Sequence, residues 1–184
     1  MRRTLLALLL LCAACGGPAR AHAHPDPALD ALFSQLETAP DAASSDQIEA
    51  RIRAHWAESG SPTVDVLMDR AQTAETSGDA RLAIQFLEQA SDLAPDYVEP
   101  WSRRANLAYR VHDYAGAIAA IQETLKREPR HFGALTSLGL IREDLGQFPG
   151  ALEAYRAALA INPHYELARA GVTRLAPRVD GRDA

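Results

Sequence analysis

Few residues in this chain have types and spacings that suit chemistry. Cys12 and Cys15 form a C-x-x-C pair, a spacing that serves a dithiol or half a metal site when a helix or strand presents it. Here the pair lies in "LLLLCAACGGPA", an apolar run with no such element around it. His22 and His24 in "AHAH" offer two imidazoles, and a stable metal site needs further ligands. Glu143 and Asp144 are adjacent carboxylates. Neighbours on a helix do not face each other, so they form a solvated face or part of a binding surface, not an acid–base pair. His131 and His164 follow prolines and read as solvated turns packed by loop residues. Trp56 and Trp101 fit apolar columns and read as core. The sequence holds no G-x-S-x-G, no H-E-x-x-H and no phosphate-cradling glycine loop. The expectation is no catalytic residue, no metal, no cofactor and no enzyme.

The N-terminal residues explain the cysteines. Arg2 and Arg3 precede an apolar run from Leu5 to about Ala14, and small residues with Pro18 follow. That layout reads as a secretory signal over residues 1–23, too short to span a bilayer with margin. Two ways of processing it compete. Ala19-Arg20-Ala21 and Ala21-His22-Ala23 suit ordinary cleavage after Ala21 or Ala23. Ala13-Ala14-Cys15-Gly16 resembles a lipoprotein box, with Cys12 where an aliphatic residue is usual, and would make Cys15 a lipid-anchored first residue. Either implies export, to the periplasm of a Gram-negative bacterium. Neither leaves two thiols for an intramolecular disulfide, although the compartment would permit one. Removing residues 1–23 leaves 16 basic against 24 acidic residues, a net charge of −8. An acidic chain does not fit nucleic acid, which selects a basic face.

The organisation of the remainder is carried by proline. Pro95, Pro129 and Pro163 recur every 34 residues, a period that marks a repeat array. In the same register lie small residues (Ala71, Ala105, Gly139 and Ala83, Ala117, Ala151) and large apolar ones (Leu67, Trp101, Leu135 and Leu87, Ile121, Tyr155). Ala90, Thr124 and Ala158 form another column, and Gly78, His112 and Gly146 a turn column. The small columns suit close helix crossings. The turn column ends a first helix where left-handed backbone favours glycine, with His112 as the strained exception. The prolines end a second helix. The spacing predicts helices over about 63–76 and 80–93, 97–111 and 114–127, and 131–145 and 148–160. Apolar stripes (Leu29, Leu32, Phe33, Leu36; then Ile48, Ile52, Trp56) predict two further helices over 27–38 and 43–58. After "SGSP", Ser61 or Thr63 suits a helix cap. Leu167, Ala170 and Leu175 predict a final capping helix.

The columns in "WSRRANLAYRVHDYAGAIAAIQETLKREP" and "LTSLGLIREDLGQFPGALEAYRAALAINP" resemble the tetratricopeptide repeat family. Trp101, Ala117 and Pro129 match its pattern in one repeat, and Leu138-Gly139, Ala151, Tyr155 and Pro163 in the next. Arg70 and Arg104 depart from its usual leucine, and Ala74, Ala108 and Arg142 from its usual tyrosine. The resemblance implies an all-α, right-handed α-solenoid of helix-turn-helix repeats. Its parts are a signal over 1–23, an N-terminal helical cap or degenerate repeat over 24–62, and repeats over 63–97, 98–131 and 132–165. A capping helix over 166–176 and a disordered tail over 177–184 complete it.

In that family the first helices line a concave groove that binds peptides or proteins. By alignment this groove is lined by Met68, Asp69, Gln72 and Glu75, then Arg103, Asn106, Tyr109 and Arg110, then Thr136, Leu140 and Glu143. Two guanidiniums, an amide and a phenol suit a carboxylate or a peptide backbone. Flanking acids could instead neutralise the arginines. A subset of the family grips acidic chaperone tails with a lysine–asparagine clamp. Lys126, the sole lysine, lies on a second helix and cannot supply it. The resemblance implies a non-enzymatic adaptor or scaffold for a protein or peptide partner. The alternative is a structural subunit of an envelope assembly, tethered by lipid at Cys15.

Overall fold

The computed structural model describes residues 26–182. The signal segment, both cysteines and the "AHAH" pair therefore lie outside the described residues. Nine α-helices and no strand occur among the described residues. They are α1 (Pro27–Glu37), α2 (Ala42–Trp56), α3 (Pro62–Thr76), α4 (Ala80–Leu93), α5 (Glu99–Arg110), α6 (Tyr114–Arg127), α7 (Phe132–Asp144), α8 (Phe148–Ile161) and α9 (Glu166–Val179). Pairs α3–α4, α5–α6 and α7–α8 are the three repeats of an α-solenoid.

Local chemistry sets the helix ends. Asp26, Asp41, Asp79 and Asp113 each accept a backbone N–H from the first turn they precede, satisfying donors that a helix leaves unpaired. Ser61 occupies the start of α3 without a side-chain bond of that kind, and Thr63 lies inside the helix. Each first helix ends in the same way. Gly78, His112 and Gly146 have φ of 82°, 59° and 72°. The next residue donates back across six residues: Asp79 to Ala74, Asp113 to Ala108 and Gln147 to Arg142, at 2.9, 2.9 and 2.7 Å. This is the bond pattern of a Schellman cap. His112 adopts the same turn as the two glycines, at the steric cost of a β-carbon.

Packing within and between repeats uses the small columns. Ala71, Ala83, Ala117 and Ala151 are fully buried and Ala105 is nearly so. A β-carbon on Gly139 would sit 2.5 Å from the Tyr155 ring, and one on Gly171 of α9 would meet the ring's other edge at 2.5 Å. Tyr155 therefore fills a slot that two glycines leave open. The face of α9 that covers this slot is Ala168, Gly171 and Leu175. Leu167 and Ala170, expected on that face, are exposed. The helix also runs beyond the expected end at residue 176, through Pro177 to Val179. Val179 packs on the core, Arg178 lies over the Phe148 ring at 3.6 Å, and Arg156 pairs with Asp180 at 2.5 Å. These contacts hold a last turn that proline alone would weaken.

The recurring proline opens three equivalent turns between repeats. Tyr97, His131 and Tyr165 each donate a backbone N–H to the residue three before, at 3.1 Å. The α1–α2 hairpin lies across all three turns. Tyr97 donates its hydroxyl to the Ala57 carbonyl at 2.9 Å. Trp56 stacks on His131 with ring centres 4.1 Å apart and planes 6° from parallel. Ser45 donates to Asn162 at 2.9 Å, and the Asn162 amide donates to Glu49 at 3.2 Å. Arg130 pairs with Asp30 at 2.7 Å. The apolar faces of α1 and α2 join one core with Phe132, Tyr155 and Leu175. The hairpin thus packs on α8 and the turns, and does not stack ahead of α3 as a preceding repeat. His131, expected in a solvated turn, is 4% exposed. Burial, with the nearby Arg53 charge, lowers its pKa to about 4. The neutral ring caps α7, its Nδ1 accepting from the Ala134 N–H at 3.0 Å.

Candidate partner-binding groove

The first helices face one another along the array. α7 packs against both α5 and α9, while the second helices pack against their own and the following first helix. That closer spacing places α3, α5, α7 and α9 on the inner side of the curve. The groove side chains fall into three groups.

One group is already engaged. Arg103 donates to Glu75 through Nε at 2.9 Å and Nη2 at 2.5 Å, and to the Gln72 amide oxygen at 3.0 Å. Its Nη1 reaches the Met68 carbonyl at 3.5 Å. Both charged side chains are 16% exposed. Arg103 is therefore a bridge between the first two repeats. Glu143 is held the same way at the far end. Arg174 of α9 donates to both of its oxygens at 2.6 and 2.7 Å, and Tyr155 donates at 2.9 Å. The Arg174 bonds are the main cause that holds the Glu143 carboxyl below the usual carboxylate range.

A second group forms the floor. Met68 is buried among α3 core residues and Leu140 is half-buried against the core. Thr136, expected to line the groove, is 2% exposed and donates to the Phe132 carbonyl at 2.9 Å. It faces inward because it shares a face of α7 with Phe132 and Gly139, four residues before and three after it, which are buried as well. Thr136 does not belong to the groove surface.

The third group is open. Asn106 and Arg110 are exposed, and Arg110 forms no ion pair among the described residues. Tyr109 donates its hydroxyl to Asp144 at 3.0 Å. Asp69 is exposed beside Gln72. The alignment brings these side chains onto one face and leaves Glu99, Asp144, Tyr114 and Arg174 out of account. Burial pushes the Glu99 carboxyl up to about 7, opposed by Arg103 and Arg53 and assisted by Glu75. Asp144 shares the 34-residue column of Arg110, Glu99 precedes the columns compared in sequence, and Arg174 becomes a groove residue only when α9 folds onto α7.

Comparison with known proteins settles the family. Tetratricopeptide repeat models match residues 64–97 and 102–166. A TPR repeat-containing protein of Rhizobium etli is 39% identical over 163 residues, which span 88% of this chain and 79% of that protein. The chain belongs to the tetratricopeptide repeat family. The fold of this TPR protein is similar to that of the Sgt2 TPR domain from Aspergillus fumigatus, with TM-score 0.60 and 22% identity over 67% of this chain and 83% of that one. It is also similar to MamA, with TM-score 0.58 and 21% identity over 84% and 77%. The first TPR of Spaghetti (RPAP3), bound to the HSP90 peptide SRMEEVD, gives TM-score 0.59 and 18% identity over 64% and 93%.

Proposed function

We propose that this TPR protein is a non-enzymatic protein–protein interaction module that holds a segment of a partner in the groove of its first helices. The observation that carries this reading is the open middle of the groove. Asn106 and Arg110 are exposed there, Arg110 with no ion pair among the described residues, between two ends closed by Arg103–Glu75 and Arg174–Glu143. A rigid floor with free polar groups above it suits a peptide backbone and its side chains. The peptide held by the RPAP3 domain supports the mode of binding. The same reading places the protein outside the cytoplasm as an adaptor, supported by the signal pattern of residues 1–23. The test is copurification of the native protein with crosslinking. The double variant Asn106→Ala/Arg110→Ala loses the partner, and the second-helix control Glu153→Ala keeps it. Retention in the double variant overturns the groove reading. Sedimentation as a stable homo-oligomer at every concentration would instead support a structural subunit. Mass analysis of the mature N-terminus separates the processing routes. It gives His22 or His24 after ordinary cleavage and a lipid-bearing Cys15 otherwise.

A further inference from the structure

Asp144 differs from the two groove glutamates. Glu75 and Glu143 each meet a guanidinium, whereas Asp144 is exposed and has no cation within 4.0 Å among the described residues. Two phenols hold it instead, and His112 stands behind one of them. Tyr109 and Tyr114 donate their hydroxyls to its Oδ2 at 3.0 and 3.3 Å. Nδ1 of His112 lies 3.2 Å from the Tyr114 oxygen. Tyr114 gives its proton to Asp144, so His112 donates at Nδ1. The Tyr109 and Tyr114 rings stand 6.1 Å apart at 45°, and His112 and Tyr114 stand 5.9 Å apart at 77°. Oδ1 of Asp144 receives no donor from the described residues. Val111 and Leu145, 55% and 44% exposed, flank His112 and Asp144 in sequence.

We propose that Asp144, Tyr109, Tyr114 and His112 form a receptor for an arginine side chain of the partner segment. This inference rests on the groove reading and names the chemistry of its occupant. The free carboxylate oxygen offers the acceptor, and the phenol faces offer the negative side of an aromatic quadrupole. A guanidinium stacks on such faces and takes a carboxylate in its plane, which an ammonium does less well. The exposed Val111 and Leu145 suit the aliphatic stem of the side chain. Arg110 of the chain itself adjoins Tyr109 in sequence yet forms no ion pair with Asp144. The acidic character of residues 24–184 favours a basic partner through long-range attraction as well. The preferred segment is thus opposite in sign to the SRMEEVD peptide of the RPAP3 complex.

The test is an NMR titration of the 15N-labelled protein with two probes, Ac-Gly-Arg-Gly-Arg-Gly-NH2 and Ac-Gly-Glu-Gly-Glu-Gly-NH2. The arginine peptide shifts the amides of Tyr109 to Tyr114 and of Asp144 to Gly146, and the glutamate peptide does not. Asp144→Asn weakens the arginine peptide by about tenfold, with the rest of the spectrum unchanged. Equal shifts from both peptides, or unchanged binding in Asp144→Asn, overturn the inference. The titration is read without the partner. Loss of arginine preference therefore overturns only this receptor, while a partner retained by Asn106→Ala/Arg110→Ala overturns the groove reading.

Discussion

His112 sits at φ 59° in a turn where the other two repeats carry glycine. A β-carbon in that conformation costs roughly 1 kcal/mol, so His112→Gly raises stability by about 1 kcal/mol. Urea unfolding measures it, and a loss of stability would mean that the bond to Tyr114 outweighs the strain. Glu99 and His131 give opposite pH dependences. The folded pKa of Glu99 is raised to about 7 from an ordinary 4.5. The folded protein holds this proton more tightly than the unfolded chain, so stability falls as pH rises through that window. The His131 value is lowered to about 4 from 6.5. Unfolding then takes up a proton, and stability falls as pH drops from about 6.5 to about 4. Glu99→Gln therefore melts higher than wild type at pH 8 and equally at pH 4. Scanning calorimetry at both pH values checks this, and equal melting at pH 8 would place Glu99 in solvent.

Helix crossings set the tolerances of the repeats. Ala117 is fully buried in the α5–α6 pair. Ala117→Leu overpacks that crossing and costs about 1–3 kcal/mol, read from the denaturation midpoint. Such positions were legible in sequence because the 34-residue period puts Ala83, Ala117 and Ala151 in one column, and a column of small residues has a single steric meaning. Helix ends were legible for the same reason: the carboxylates of Asp79 and Asp113 accept from the next turn, and the prolines act on their own backbone, all within a few residues. The face of α9 was not legible. Leu167 has the apolar type and Gly171 has none, yet Gly171 is buried and Leu167 exposed. The ring of Tyr155 decides this, since only a residue without a β-carbon fits against it.

The α1–α2 hairpin ties the molecule together at the largest scale. A linear array contacts only nearest neighbours and can unfold piece by piece. Here Ala57, Trp56 and Ser45 reach the turns after the first, second and third repeats. The protein therefore unfolds in one transition, with circular dichroism and tryptophan fluorescence coincident. Trp56→Ala costs about 3–5 kcal/mol and separates the two curves; coincident curves in that variant would remove the hairpin's bridging role. The sequence alone determined the helices, the repeat and its close crossings, because each follows from dihedral preference and periodic sterics over a few residues. It also carried the candidate groove as far as Asn106, Tyr109 and Arg110. Tertiary structure alone decided that Arg103 is spent on Glu75, that Thr136 turns inward, that His131 is buried under Trp56, and that Asp144 stands free among rings. Each of those outcomes depends on which side chains distant in sequence come within hydrogen-bond or van der Waals reach, and periodicity carries no information about that distance.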